Sequence, residues 1–176
     1  MSKNKKIVCF LEDYFEDLEL WYPVLRLREA GYEVVLAAPE AGKTYHGKYG
    51  VPAESDKAFT DIDPEDFIGL LVPGGWAPDK IRRYDSALDI VKAMDKAEKP
   101  IGHICHAGWV LSSADILKGR HVTSTPGIKD DLIHAGATWS DEPAITDGHI
   151  ISSRRPPDLP DYLIAYLEAL EKYENK

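Results

Sequence analysis

Short apolar runs alternate with longer amphipathic segments along most of the chain. The runs are continuous, which is typical of parallel strands that are buried on both faces. Predicted strands occupy 7–11, 32–38, 68–72, 101–104 and 121–124. Apolar residues recur at helical spacing between them. This alternation predicts an α/β fold, a parallel sheet covered by helices.

The predicted helices follow these strands, at about 16–30, 87–99, 108–117, 126–135 and 160–173. In the first helix, Leu18, Trp21, Tyr22 and Leu25 share one face, and we expect that face to meet the core. The segment 40–55 is expected to form loops and a small hairpin. Asp147-Gly148 lies between two apolar segments and predicts a second, tight hairpin.

Length and charge narrow the possible functions. The 176 residues fit one domain, 1–176. Acidic residues number 30 and basic residues 21, a net charge of −9 that disfavours binding to nucleic-acid backbone or anionic membranes. The apolar runs are too short to span a bilayer or form a signal peptide, so we expect a cytoplasmic protein. Two cysteines make neither a disulfide framework nor a zinc site, and the sequence predicts no cofactor and no metal.

Cys105 is the strongest candidate for chemistry. It lies between an apolar strand and a predicted helix, and the small residues Gly102, Ala107 and Gly108 flank it. Small residues permit the tight strand-to-helix turn that raises a nucleophile above a sheet. A helix N-terminus there should lower the pKa of the thiol. The alternative is an inert, buried strand-end cysteine, which is the interpretation we favour for Cys9.

Other strand ends supply possible partners for this thiol. Glu12 follows the first strand and could share a proton with Cys105, or it could be a surface or capping acid. Pro73-Gly74-Gly75 is either a simple turn or a source of backbone N–H groups that, with that of His106, hold an oxyanion. Asp79 could orient His106 or only begin a helix.

The remaining polar residues are expected to have ordinary roles. His103 should be a hydrogen-bonded core histidine, and four other histidines show no metal-ligand spacing. Asp13, Glu16, Asp17 and Glu19 are expected to be solvated acids of the first helix.

Taken together, these motifs resemble those of the PfpI family of intracellular cysteine peptidase-like proteins. That family lies in the superfamily that includes the parkinsonism-associated protein and the class I glutamine amidotransferases. The motifs occur in order between about residues 6 and 170. They are Glu12, Pro73-Gly74-Gly75, Ile104-Cys105-His106 and Thr123-Ser124-Thr125-Pro126-Gly127-Ile128-Lys129-Asp130-Asp131.

The resemblance implies a flavodoxin-like three-layer sandwich. It implies that Cys105 is the nucleophile, that Glu12 is its carboxyl partner, and that Gly75 and His106 supply oxyanion N–H groups. It also implies a homo-oligomer, a dimer or hexamer with active sites near the subunit interfaces. In such oligomers an acid from a neighbouring subunit completes the triad, and Asp79 stands at that position, where relatives carry Glu.

Two further departures from the family bear on the pocket. Ala107 stands where relatives often have Gly, and Thr125 stands where they often have Tyr. The loss of the tyrosine ring should widen the pocket. Trp76 and Trp109 could fill the space that this leaves and act as substrate-binding residues.

Two functions fit these residues. The first is an enzyme whose Cys105 thiolate attacks small reactive carbonyls or glycation adducts, a glutathione-independent glyoxalase or deglycase, or hydrolyses peptides and amides. The second is a stress-response protein in which Cys105 is oxidised instead of turning over substrate. A purely structural oligomer would leave the Gly-Gly loop and the elbow unexplained.

Overall fold

The computed structural model describes residues 5–176, and its centre is a seven-stranded sheet. The described strands are β1 (Lys6–Phe10), β2 (Glu33–Ala38), β3 (Thr44–His46), β4 (Pro52–Glu54), β5 (Lys57–Ala58), β6 (Gly69–Val72), β7 (Ile101–Ile104), β8 (His121–Val122), β9 (Thr138–Trp139), β10 (Ala144–Asp147) and β11 (Ile150–Ser153).

The order across the sheet is β10-β11-β7-β6-β1-β2-β5, and every neighbouring pair except β10–β11 is parallel. β1 pairs with β6 on one side and β2 on the other, so it lies well inside the sheet. The carboxyl ends of β1, β6 and β7 therefore lie side by side, and this edge collects the loops predicted to carry chemistry.

Helices cover both faces of this sheet. They are α1 (Asp17–Glu29), α2 (Ala77–Ile81), α3 (Asp85–Lys96), α4 (Gly108–Ser113), α5 (Lys129–His134) and α6 (Leu159–Glu174). α6 packs on α1 and on β11, whereas α3 packs on β6, β7 and α4. Gly69 and Gly102 let α6 approach closely, because a Cβ at either position would collide with a buried tyrosine of that helix. The expected α/β sandwich is confirmed.

The core face predicted for α1 is wrong. The helix buries Leu20, Val24 and Leu27, whereas Leu18 and Leu25 are each 57% exposed. Tyr22 is exposed as well, and only Trp21 is half-buried. The helix carries two apolar stripes, and periodicity alone does not show which stripe faces the sheet. An outward apolar stripe of this length is typical of a surface that another chain covers.

Smaller departures concern short elements. The strand predicted at 121–124 is only His121–Val122, and it pairs with β9 outside the main sheet. The helix predicted from Gly108 ends at Ser113. The 40–55 segment contains the expected hairpin, β3–β4, and the β10–β11 hairpin forms around Gly148.

His103 lies in the core, as predicted, but it is not hydrogen-bonded. It is fully buried in β7, and neither ring nitrogen has a hydrogen-bond partner within residues 5–176. Burial lowers the pKa of His103 from 6.5 to about 3, so the imidazole is neutral at physiological pH. Its register partner in β11 is Ser152, whose hydroxyl accepts the Thr123 N–H.

Over the described chain, 5–176, no helix combines the length and the hydropathy that a bilayer crossing requires.

Candidate active site

Cys105 begins a sharp turn between β7 and α4. Its φ is +62°, a left-handed conformation that is uncommon for a non-glycine residue and clusters at functional sites. One 3-10 turn, Cys105–Ala107, joins the strand to the helix, and Gly108 packs against Leu132 where a Cβ would be crowded. The strand–turn–helix arrangement is that of a nucleophile elbow. This geometry sets Cys105 apart from Cys9, which is fully buried inside β1.

Three donors and acceptors surround the Cys105 sulfur. The backbone N–H groups of Gly75 and His106 both donate to it. The His106 Nδ1 lies 3.3 Å from Sγ, within reach of the thiol proton. The two N–H groups that the sequence suggested as oxyanion donors thus converge on the Cys105 sulfur.

Glu19, and not Glu12, is the carboxyl group at the thiol. Its Oε2 accepts the Gly74 N–H at 2.9 Å, and its side chain hydrogen-bonds with Cys105. Glu19 is 2% exposed, and Glu16 and Asp17 are buried as well, so the expectation of solvated helical acids is wrong for all three. A Cβ on Gly74 would collide with both the Glu19 carboxylate and Cys105 Cβ, which shows how closely the three groups pack.

The loop after β6 brings Glu19 to this position. The N–H of Glu16 donates to Gly74 O at 3.1 Å, and that of Trp76 donates to Tyr14 O at 2.8 Å. Gly75 has φ +76°, and a Cβ there would meet the backbone of Phe15 and its neighbours. The first turn of α1 is therefore held against the Gly-Gly loop, and Glu19 projects from that turn.

Glu12 is also buried, but it lies elsewhere. Its Oε1 accepts the Asp13 N–H at 2.8 Å, and its Oε2 accepts the Tyr84 hydroxyl at 3.2 Å. It lines a groove of about 450 Å³ that also includes Lys43 and Arg83. Since both of its oxygens have partners there, the expected Glu12–Cys105 pairing is wrong in this structure.

The pKa values of the thiol and its carboxyl partner are both raised. Burial, followed by the neighbouring carboxylate of Glu16, raises the pKa of Glu19 to about 8. Burial, followed by the charge of Glu19, raises the pKa of Cys105 to about 12. The expected lowering of the thiol pKa is wrong, because desolvation outweighs the N–H groups that donate to the sulfur. The resting residue is a thiol beside a protonated carboxyl group.

His106 is suited to take the proton from this thiol. Burial, and then the charge of Lys48, lower the pKa of His106, so that its ring is neutral and Nδ1 can accept a proton. The ring contacts two indoles, with centroids 5.1 Å from Trp76 and 5.0 Å from Trp109. Within residues 5–176, Asp79 does not orient this imidazole, because its carboxylate accepts from Arg83 at 2.6 Å.

The chain matches the DJ-1/PfpI family over residues 5–169. It belongs to the DJ-1/PfpI family.

Relatives and a solved structure agree with this membership. Deglycase PfpI of Pyrococcus furiosus is 40% identical over 166 residues, covering 94% of this chain and 99% of that protein. YraA of Bacillus subtilis, whose name assigns it provisionally to the cysteine proteases, is 43% identical over 156 residues, with coverages of 89% and 92%. The DJ-1/ThiJ/PfpI-like and ferritin-like two-domain protein of Anabaena variabilis superposes with a TM-score of 0.93 at 34% identity. That match covers 95% of this chain and 48% of the larger one.

The remaining predicted residues of this DJ-1/PfpI site also lie near Cys105. Thr125 donates its N–H to Cys105 O at 3.3 Å. Trp109 donates its indole N–H to Asp131 at 2.8 Å, which fixes that ring behind the imidazole. Over the described residues, no cluster of three or more His, Cys, Asp or Glu side chains is arranged to hold a metal.

Sequence reasoning missed Glu19 and Lys48 in this DJ-1/PfpI protein. Lys48, from the β3–β4 loop, acts electrostatically on Cys105, Glu19 and His106. Asp17 holds that loop in place, accepting the N–H groups of Tyr49 and Val51. A run of acids in a first helical turn looks like a normal solvated N-terminus, and no local signal distinguishes Glu19 from its neighbours.

Proposed function

We propose that this protein is a cysteine-dependent enzyme that converts small α-oxoaldehydes to α-hydroxy acids without glutathione and removes early glycation adducts. The observation that carries the proposal is the convergence of the Gly75 and His106 N–H groups, and of His106 Nδ1, on Cys105 Sγ. The name of the archaeal deglycase relative supports the same chemistry. An aldehyde carbon is a better electrophile than a peptide carbonyl, so a buried thiol can act on it more readily.

The first step forms a bond between sulfur and the aldehyde carbon. His106 Nδ1 takes the thiol proton as Sγ attacks. The carbonyl oxygen then accepts hydrogen bonds from the two N–H groups that had donated to the sulfur. This explains how a thiol with a raised pKa can react: it ionises only when a substrate is present to accept the electron pair.

The second step is an internal redox change that needs no external oxidant. The hydrogen on the thiohemiacetal carbon leaves as a proton, and a proton is added to the neighbouring ketone carbon. The hydroxyl proton of the thiohemiacetal moves to the former ketone oxygen. The first carbon is thereby oxidised to a thioester and the second is reduced to an alcohol. Glu19 and His106 are the groups placed to move these protons. Water then breaks the carbon–sulfur bond and releases the α-hydroxy acid and the thiol.

The test is methylglyoxal consumption with lactate formation in the absence of glutathione. Cys105→Ser should abolish turnover, and Glu19→Gln should reduce it at least about a hundredfold, the lower end of what a positioned proton-transfer group contributes. Glu12→Gln is the matched control, because it alters an equally buried carboxylate outside the site, and it should retain activity. Consumption of no more than one equivalent per Cys105 would refute turnover. A fluorogenic amide in parallel tests the peptidase or amidase alternative.

The stress-sensor function is a second candidate, favoured by the Glu19–Cys105 contact. A protonated carboxyl group beside sulfur can donate to a sulfinate and so stabilise the oxidised state. The raised thiol pKa argues against it, because oxidation by peroxide proceeds through the thiolate. Intact-mass measurement after dilute peroxide decides this: rapid gain of two oxygens at Cys105, without turnover of carbonyls, would favour the sensor.

We also propose that the protein forms a homo-oligomer with active sites near its interfaces. Leu18, Tyr22 and Leu25 form an exposed apolar stripe on α1, and Asp79 pairs with Arg83 of its own chain. A second copy covering the stripe would remove it from water. Sedimentation of the native protein and of Leu25→Glu tests this: a native monomer, or an unchanged assembly in the variant, contradicts an interface on α1.

A further inference from the structure

We infer that Trp76 determines specificity, and that the site prefers α-oxoaldehydes bearing a flat aromatic substituent over methylglyoxal. This inference rests on the proposed function and narrows it to a substrate class. The assignment begins with backbone position. Trp76 immediately follows Gly75, whose N–H points at the Cys105 sulfur. The backbone N–H of Trp76 donates to Tyr14 O at 2.8 Å, so the backbone that carries this side chain is held beside the oxyanion donors.

A substrate carbonyl held by Gly75 and His106 projects its substituent toward the side chains next to those donors. The indole of Trp76 lies 5.1 Å from the imidazole of His106, and that imidazole contacts Sγ. The sulfur and the indole thus contact the same imidazole, and a ring carried beside the reacting carbonyl could approach the exposed part of the indole; aromatic pairs are favourable at about 4.5–7 Å between ring centroids. A methyl group has no ring face to offer and would leave the indole in water.

The two indoles of the site are not equivalent. Trp109 is anchored by Asp131 at 2.8 Å, and the Arg82 guanidinium lies 5.7 Å from its ring. Trp76 is 57% exposed, whereas Trp109 is half-buried. Trp109 is thus a fixed wall behind the imidazole, whereas Trp76 has an open face that a substrate ring can cover.

The kinetic test compares phenylglyoxal with methylglyoxal. The ratio of their kcat/KM values should fall about tenfold in Trp76→Leu, which keeps apolar bulk without a ring, an effect of about 1.4 kcal/mol. Trp76→Phe should restore most of the ratio. Tyr173→Leu removes a remote aromatic ring from α6 and is the matched control. An unchanged ratio in Trp76→Leu overturns the inference and leaves the proposed function standing.

A binding test separates this inference from turnover. Mandelate and lactate, the two products, are titrated into Cys105→Ser while tryptophan fluorescence is followed. Mandelate should bind about tenfold tighter than lactate, and the difference should vanish when Trp76→Leu is added. If neither aldehyde is consumed by the native protein, the proposed function fails, and the mandelate–lactate comparison still decides the role of Trp76. Two results together would overturn the inference and identify Trp76 as an interface residue. They are dissociation of the oligomer in Trp76→Leu and equal affinity of Cys105→Ser for mandelate and lactate.

Discussion

Acidification should turn His103 into a destabilising residue, an effect that a variant at this position isolates from the opposing effect of Glu19. The ring is fully buried and neither nitrogen has a partner within residues 5–176. Its pKa is about 3 in the folded chain, against an ordinary value of 6.5. Because the folded-state pKa is lowered, the stability contribution is present above pH 6.5 and is lost as the pH falls toward 3.

The size of the effect follows from that gap. If the unfolded chain keeps the ordinary value, the full gap corresponds to about 4.8 kcal/mol of unfolding free energy. Between about pH 7 and about pH 4.5 the loss is about 2.5 kcal/mol. Glu19 opposes it over the same range, because its raised pKa makes the folded state gain a proton there. The native protein alone therefore shows a nearly flat profile, and a variant is needed to isolate His103.

The assay is urea unfolding of the native protein and of His103→Leu at both pH values. Leucine keeps the apolar volume, does not titrate and has no polar atoms to bury, so the variant should be at least as stable as the native protein near neutrality. Its advantage over the native protein should grow by about 2.5 kcal/mol on acidification. A stability difference that is the same at both pH values would refute the argument that the ring is held neutral by desolvation.

Three further predictions concern other contacts. Relative to the native protein, Glu19→Gln should gain about 3 kcal/mol of unfolding free energy between about pH 5 and about pH 8, measured by urea unfolding, because it lacks the Glu19 contribution that falls as the pH rises; equal slopes for both proteins would contradict the raised pKa of Glu19. Gly74→Ala should abolish turnover or lower stability by at least about 2 kcal/mol, since its Cβ collides with Glu19 and Cys105; an active, stable variant would show that the contact is loose. Tyr166→Phe should cost about 1 kcal/mol by thermal unfolding, because the hydroxyl donates to Leu70 O at 3.1 Å; no change in melting temperature would show that this hydrogen bond does not contribute.

The sheet could be predicted because each of its main strands has a recognisable local sequence pattern. β1, β6 and β7 are short apolar runs, and a continuous run of this kind is buried wherever it pairs. The elbow at Cys105 was predictable for a similar reason, since small residues mark it on both sides. Both inferences need only neighbours in sequence.

Glu19 could not be found in this way. Its burial is created by Gly74, which is 55 residues further along the chain. From the sequence, Glu12 is the better candidate for the carboxyl partner of Cys105, because it lies directly at the end of a strand. Tyr84, 72 residues away, provides a separate partner for it. The choice between the two acids depends on how the loop after β6 folds back, and periodicity carries no information about that contact.

The prediction of the core face of α1 was wrong for a different reason. Leu18 and Leu25 are as apolar as Leu20 and Leu27, and the helix offers two faces of similar hydrophobicity. The sheet takes one of them. In the observed orientation, Glu19 reaches the Gly74 N–H in the Gly-Gly loop.

The first turn of α1 thus anchors two functional parts of the molecule at once. Asp17 holds the β3–β4 loop through Tyr49 and Val51, and Glu19, two residues later, hydrogen-bonds with Cys105. Gly47 is locked in place as well, because a Cβ there would strike the Asp17 carboxylate. Any shift of this turn would displace the lysine-bearing loop and the carboxyl partner of the thiol together. Lengthening that loop at its tip is therefore a means of adjusting the electrostatics of the site while its covalent machinery stays intact.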